Sequence, residues 1–481
     1  MSLLPHGYEM VIGLEIHAQV NTASKLFSGS PTEFGADPNT QTCPIDLGMP
    51  GVLPVLNTKA VDAAIQTGLA LNAKINEVSV FARKNYFYPD LPKGYQTSQF
   101  EHPIVGLGNL TIDLEDGTTR DIGVTRLHLE EDAGKSVHDL GAENVSHVDL
   151  NRAGIPLMEI VSEPDMRTPE EAGAYVKKLR AIVRALGVCD GNMEQGSLRC
   201  DANVSVRKIG VEKLGTRTEI KNLNSVRNIA RAIQFEAERQ IDVLEAGGSI
   251  DQETRLWDAD KNMTRTMRSK EDAHDYRYFP CPDLLPLRLD PARIVQLQKT
   301  LPELPDEMKQ RFIESYGLSV YDASVLSSSR ETASYYDEVI GGKRDAKMAA
   351  NWVMGELFAA LNKAGKDIQS SPVSAKQLGE LLDLLGNKTI SGKIAKTVFE
   401  DMFETGRDAS VIVEEKGLVQ ITDASAIESE VQAVIDENPE QTAAFRGGND
   451  KLFGWFVGQV MKRTQGKANP AMVNQALKKL L

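Results

Sequence analysis

The sequence predicts an α+β protein: an antiparallel sheet with a few helices over residues 1 to about 290, then an all-helical remainder ending in a small helical tail. Three observations predict it. Segments with period-two alternation fill the first part and do not alternate regularly with helices, which argues against a doubly wound parallel sheet. A proline-rich stretch from Phe279 to Pro291 breaks both periodicities. Beyond it the apolar positions recur at helical spacing. A chain of 481 residues exceeds what one hydrophobic core organises, and the breaks divide it into 1–292, 293–408 and 409–481.

The elements follow in order. Gly13 to His17 alternates as a strand, with Glu15 and His17 on one face and apolar residues on the other. Val78 to Ala82 and Gly108 to Leu114 read the same way, as does Leu127 to Ser136 with its acidic centre Glu130-Glu131-Asp132. Thr168 caps a helix, Pro169 takes its first turn, Glu170 and Glu171 suit its positive end, and Gly187 ends it. Ser197 to Asn203 puts Arg199, Asp201 and Asn203 on one face, and Thr218 to Asn222 does so for Glu219 and Lys221. A second helix runs from about Val226 to Leu244 and stops at Gly247-Gly248. Downstream helices are expected over 303–316, 331–340, 347–361 and 375–385. Asn469-Pro470 starts the last one.

Composition bounds the function. With 41% hydrophobic and 25% charged residues the chain is an ordinary globular protein. No apolar run approaches the roughly 20 residues that span a bilayer, and Met1 to Tyr8 has no signal pattern, so no membrane association and a cytoplasmic location are expected. Cys43, Cys189, Cys200 and Cys281 lie far apart without a C-x-x-C pair, which signals neither a zinc knuckle nor a disulfide framework. A net charge of −14 argues against a chain that coats nucleic acid uniformly. The tail is polarised, however: residues 411–450 are strongly acidic, while Lys451, Lys462, Arg463, Lys467, Lys478 and Lys479 follow without an acid among them. They are the candidate phosphate-backbone contacts.

A sheet face carrying acids, bases and an imidazole is unfavourable unless it holds metal and phosphate. Glu15, Glu130, Glu131, Asp201 and Glu219 can supply oxygen to Mg²⁺, with His17 as ligand or hydrogen-bonding neighbour; Lys84, Lys135, Arg199 and Lys221 can meet phosphate oxygens. Solvated strand faces with surface ion pairs are the plain alternative, but four segments share the pattern. Ala133-Gly134-Lys135-Ser136 imitates the end of a phosphate-binding loop, yet Leu129 stands where that motif needs glycine, and three acids precede it. Arg83 to Tyr95 places Tyr86 and Tyr88 among basic residues, suited either to stacking on a base or to sealing the core edge. Gly187-Val188-Cys189-Asp190-Gly191 matches a nucleophile-elbow pattern, but it follows a helix rather than a strand, so Cys189 is discounted.

Taken together, Val11 to His17, Arg83 to Asp90, Leu127 to Ser136, Asp149 to Arg152, Glu159 to Asp165, Ser197 to Asn203, Lys221 to Ser225, Asp275 to Pro280 and the ending Gly466 to Pro470 resemble the B subunits of tRNA-dependent amidotransferases, the GatB family. The resemblance covers essentially the whole chain. It implies a cradle domain with a glutamine-synthetase/guanido-kinase-like fold, a helical domain and a YqeY-like tail that contacts tRNA. It implies that ATP phosphorylates the side-chain carboxylate of glutamate or aspartate mischarged onto tRNA(Gln) or tRNA(Asn), and that ammonia displaces the phosphate. Catalytic Glu15, His17, Glu130 and Glu131, metal-binding Asp201 and Glu219, and ATP-binding Lys84, Tyr86, Tyr88, Lys135, Ser136, Arg199, Asp201 and Lys221 are the implied site. Glutamine hydrolysis is expected in a partner amidase, GatA, with the small GatC chain completing a GatCAB heterotrimer. Two departures matter: only Cys43 remains where some members pair cysteines, so no structural zinc is expected, and Glu194-Gln195 replaces a pair that is often acidic. A non-catalytic tRNA-binding scaffold and a free-standing guanidino or amino-acid kinase are the rival readings.

Overall fold

The computed structural model describes residues 4–137, 145–268, 275–421 and 423–481, and its contacts divide the chain into two units, Met1–Pro305 and Asp306–Leu481. Met1 to Leu3, part of the segment read for a signal, lie outside the described residues.

The first unit is built on an eight-stranded sheet. Tyr8–Gln19 lies at its centre, flanked by Leu198–Lys208 and Pro156–Ser162. Thr218–Leu223, Thr254–Asp258 and Met263–Arg268 extend it on one side, Thr119–Glu131 and Gly108–Asp113 on the other. Among the described residues every pairing in this sheet is antiparallel except Thr218–Leu223 with Thr254–Asp258. The register sets Glu15 opposite Asp201 and places His17 between Arg199 and Glu159, with His128 on the far side of Glu159.

Alternation gives the sheet two unlike faces. Leu14, Ile16, Leu127, Leu129, Met158, Ile160 and Ala202 are buried on one of them in the first unit's core. Helices Thr58–Ala70, Pro169–Ala185 and Val226–Glu245 cover that face and add Ile65, Tyr175, Leu179 and Ile233. Each buried aliphatic side chain contributes roughly 1.5–3 kcal/mol. The second helix starts as its sequence predicts: Thr168 accepts from the Glu171 N–H with Pro169 at N1, and Gly187 follows its end at φ +71°.

The first unit runs past the proline-rich stretch. Phe279–Pro280 pairs with Ala82 and Arg83, Leu287–Arg288 pairs with Val78–Ser79, and Leu297 of helix Pro291–Lys299 joins the same core. Prolines here punctuate a domain edge without ending it.

The second unit is helical, with two cores. Phe312, Tyr336, Val353, Leu378, Val398 and Met402 belong to the first; Val431, Val434, Phe456, Val460, Val473 and Leu477 form the second. The helix expected over 347–361 is three pieces, Ala346–Trp352, a π-helical turn Val353–Leu357, and Phe358–Ala364.

Candidate active site

The polar face of the sheet opens into a cavity of 520 Å³. Glu15 and His17 face it from the central strand, Arg126, His128 and Glu130 from Thr119–Glu131, Glu159 from Pro156–Ser162, and Glu219 and Lys221 from Thr218–Leu223. Its rim brings in Lys84, Tyr86, Tyr88, Ser98, Gln99, Phe100, Tyr276 and Tyr278. The pairing of Phe279–Pro280 with Ala82 and Arg83 carries the last two tyrosines there.

Two imidazoles and two carboxylates form a box at the centre. Glu159 Oε2 lies 3.5 Å from His17 Nε2 and 3.3 Å from His128 Nε2; Glu130 lies 3.9 Å from His17 and 3.6 Å from His128. Ser98 donates to Glu130 Oε2 at 3.1 Å. Burial works against charge on His128, but Glu159 and Glu130 outweigh it and push its pKa up to about 9; they hold His17 above its ordinary range as well. Burial likewise opposes ionisation of Glu159, yet His128 and His17 keep that carboxyl well below the usual range. His17, Glu130 and Glu159 offer ligand atoms that lie within 4.8 Å of one another.

The box makes stability depend on pH with a definite sign. Because the folded-state pKa of His128 is raised, its contribution is complete below about pH 6.5 and is lost as the pH rises through about 9. The loss is on the order of 3 kcal/mol. Thermal melts of chelator-treated protein are expected to fall across that window, and the fall should largely vanish in His128→Gln.

Around the box the charges alternate. Burial raises the Glu15 pKa, and the charges of Glu159 and Glu219 add to it, while Asn203 donates to the carboxylate at 3.0 Å. Lys221 lies 2.8 Å from both Asp201 and Glu219, which hold its pKa up against burial, and Thr254 donates to Glu219 at 2.7 Å. Lys84 sits 4.9 Å over the Tyr276 ring; burial opposes its charge, but Glu130, Tyr278 and Glu159 together outweigh it and hold its pKa up. Phe100 and Tyr278 stack at 4.3 Å, and Tyr86 makes edge contacts with Tyr88 and Tyr276. This is an acid-rich floor under a basic, aromatic rim.

The cavity thus gathers Glu15, His17, Lys84, Tyr86, Tyr88, Glu130, Glu219 and Lys221 of the residues that the sequence singles out. Asp201 and Arg199 share the polar face but are not in its lining: Asp201 is turned to Lys221, and Arg199 is drawn 2.8 Å from the buried Asp132. Glu131 points to the other face, as alternation with Glu130 requires, where it pairs with Lys93 and accepts the Thr97 N–H. Lys135 is exposed on strand Lys135–Val137, and Ser136 donates to Asp90 at 3.2 Å. A Cβ at Gly134 would lie 2.9 Å from the Asp90 carbonyl and 3.0 Å from that of Asp149, so close backbone packing explains this glycine. Cys189 is buried, and burial pushes its thiol up to about 12, which suits no nucleophile.

Arg126, His128 and Glu159 complete the site beyond those candidates. Their signals were present: His128 lies two residues before Glu130 on one strand, and Glu159 interrupts the apolar run Leu157 to Val161.

In the tail, Arg463 pairs with Glu430 at 2.6 Å and Glu437 at 2.7 Å, and Lys479 pairs with Glu428 at 2.8 Å. Lys451, Lys462 and Lys478 are exposed, and Lys467 is partly so. No helix among the described residues is long and apolar enough to cross a membrane.

A family profile described as "GatB/GatE catalytic domain" matches residues 10–295, and one described as "GatB domain" matches residues 334–481. The B subunit of the aspartyl/glutamyl-tRNA(Asn/Gln) amidotransferase of Thioalkalivibrio sulfidiphilus is 62% identical to the chain over 477 residues, covering 98% of this chain and 99% of that protein. The protein of the same name from Rhodospirillum rubrum is 61% identical over 471 residues, covering 98% and 97%. That from Nitrosococcus oceani is 58% identical over 475 residues, covering 98% and 99%.

Proposed function

Since the chain belongs to the GatB family and so takes part in tRNA-dependent transamidation, we propose that its 520 Å³ cavity is where the acyl group is activated and amidated. ATP phosphorylates the side-chain carboxylate of glutamate or aspartate carried by tRNA(Gln) or tRNA(Asn), and ammonia then displaces the phosphate to leave the amide. The carboxylate needs this activation because hydroxide is a poor leaving group and phosphate a good one. The observation that carries the reading is the floor itself: Glu15, Glu130, Glu159 and Glu219 converge there with His17, under Lys84 and Lys221.

That donor set fits Mg²⁺, which favours carboxylate oxygen. Glu130 and Glu159, with His17, already have ligand atoms within 4.8 Å of one another, and the charges of Glu159 and Glu219 around Glu15, only partly offset by Lys221, favour a cation. A bound Mg²⁺ supplies neutralisation of the phosphoryl group in transfer. Lys84 and Lys221 hold fixed positive charge beside the phosphate oxygens, Tyr86 and Tyr88 offer aromatic faces, and Asp201 positions Lys221. Arg199 belongs to the same charged row beside His17; Glu131, paired with Lys93, and Ser136, bonded to Asp90, lie outside the cavity lining, as does the exposed Lys135.

The first unit on this reading has the cradle fold of glutamine synthetases and guanido kinases, followed by a helical domain and a YqeY-like tail. A partner amidase supplies ammonia through a passage between the two chains, a small third chain completes the complex, and the assembly works in the cytoplasm. The test is ATP-dependent amidation by the assembled enzyme after neutral replacement of the floor carboxylates. Amidation that survives would leave a tRNA-binding scaffold.

Alanine at Lys451, Lys462, Lys467 and Lys478 is expected to weaken tRNA binding and to lower the salt slope of the affinity by about one per contacting lysine. Alanine at Arg463 or Lys479 should do less, because their charges are already met by glutamates. Binding measured over a salt series decides this; an unchanged slope removes the tail from the tRNA interface.

A further inference from the structure

Gln99 is 1% exposed, lines the cavity, and is fixed in orientation from behind. Its Oε1 accepts the backbone N–H groups of Ile104 and Leu129, each at 3.1 Å. Two donors on one oxygen settle which end of the carboxamide is which, so Nε2 is turned away from them. That Nε2 is buried and has no hydrogen-bond partner among the described residues. An amide N–H buried without an acceptor has given up its hydrogen bond to water and gained none in return, which is unfavourable. On the same cavity, Arg126 also has a buried Nε without a partner among the described residues. Nearby, Ser98 bonds to Glu130 and Gln96 donates to the Glu131 carbonyl at 2.8 Å, while His128 Nδ1 is likewise buried without a partner among the described residues.

Resting on the reading of the cavity as the activation site, we propose that Gln99 is a substrate-binding residue whose Nε2–H donates to an anionic ligand oxygen, with Arg126 as the accompanying cation. That oxygen belongs either to the carboxylate of the acyl group or to a phosphate of the nucleotide. Both present the acceptor-rich, negatively charged edge that an N–H and a guanidinium recognise. The floor of the cavity is acidic, so an anion entering it is repelled except where cations and fixed donors meet it. Gln99 supplies a donor that adds no charge and needs no reorientation, because Ile104 and Leu129 already hold it.

In the assembled amidotransferase, Gln99→Glu keeps an acceptor oxygen for both backbone amides and, once ionised, replaces the donor by an acceptor. KM for ATP and KM for the aminoacyl-tRNA are measured separately as a function of pH, together with the melting temperature. One KM is expected to rise about tenfold or more, increasingly so at higher pH, with little change in melting. A rise confined to aminoacyl-tRNA assigns the oxygen to the substrate carboxylate; a rise confined to ATP assigns it to a phosphate. Arg126→Gln should raise the same constant, and it carries the test if Gln99→Glu does not fold. Both constants within about twofold of wild type in every folded variant would overturn the assignment. If Glu130→Gln abolishes amidation while these constants stay put, only the role of Gln99 falls; if Glu130→Gln amidates normally, the activation-site reading falls with it.

Discussion

Glu130→Gln is expected to lower ATP-dependent amidation in the assembled enzyme by about a thousandfold or more while the protein stays folded. The side chain is buried, and its carboxylate lies between His17 and His128 at 3.9 and 3.6 Å, with Ser98 donating to it at 3.1 Å. Glutamine has the same shape and still accepts from Ser98 through its remaining oxygen, so packing changes little. What disappears is one full negative charge at the point where three strands converge, and with it an oxygen ligand for a cation. Lys84 loses the neighbour that does most to hold it charged. The rate of amidated aminoacyl-tRNA formation, with glutamine hydrolysis by the partner measured alongside, separates this from a general loss of assembly. Amidation within about tenfold of wild type would remove Glu130 from the chemistry.

Asp132→Ala is expected to cost roughly 3–5 kcal/mol of stability, the largest effect on folding foreseen for a residue outside the cavity. Asp132 is buried, and its Oδ2 accepts from Arg199 and Gln19 at 2.8 Å each, with Arg152 at 3.8 Å. Its removal leaves the Arg199 guanidinium without a carboxylate beside an Nε that has no other partner among the described residues. Burial opposes ionisation of Asp132, but Arg199 and Arg152 hold its pKa below the usual value. A depressed folded-state pKa gives stability that is complete above the unfolded value, near pH 4, and is lost as pH falls through the folded one. The melting difference between wild type and Asp132→Asn should therefore be full at neutral pH and shrink in acid. A difference that persists unchanged at low pH would mean that shape, not charge, is what Asp132 contributes.

Much of the site was legible because a strand has only two faces. Glu15 with His17, and Glu219 with Lys221, follow from alternation alone, and the same rule applied strictly would have admitted His128 beside Glu130 and excluded Glu131. Glu159 was harder, since a single acid in an apolar run resembles a solvent-facing residue until a neighbouring strand brings His17 and His128 to it. The rim was not legible. Gln99 and Phe100 reach the cavity from beyond the end of a short strand, Tyr276 and Tyr278 from a segment far along the chain, and long-range pairing has no local signature. In the tail, a linear count of cations could not show that Arg463 and Lys479 fold back onto the acidic half. The proline-rich stretch belongs to the first unit for a related reason: Phe279–Pro280 and Leu287–Arg288 are short strands completed by residues some two hundred positions earlier.

The row His128, Glu159, His17, Arg199 crosses four neighbouring strands at one level of the sheet. Slipping any of these strands by a single residue would turn its charged side chain toward the helices and its aliphatic neighbours toward water. Both errors are penalised at once, and with opposite-sign partners lost on either side. The charges of this row therefore also proofread strand pairing during folding, so that a chain with the wrong register cannot settle into a stable sheet.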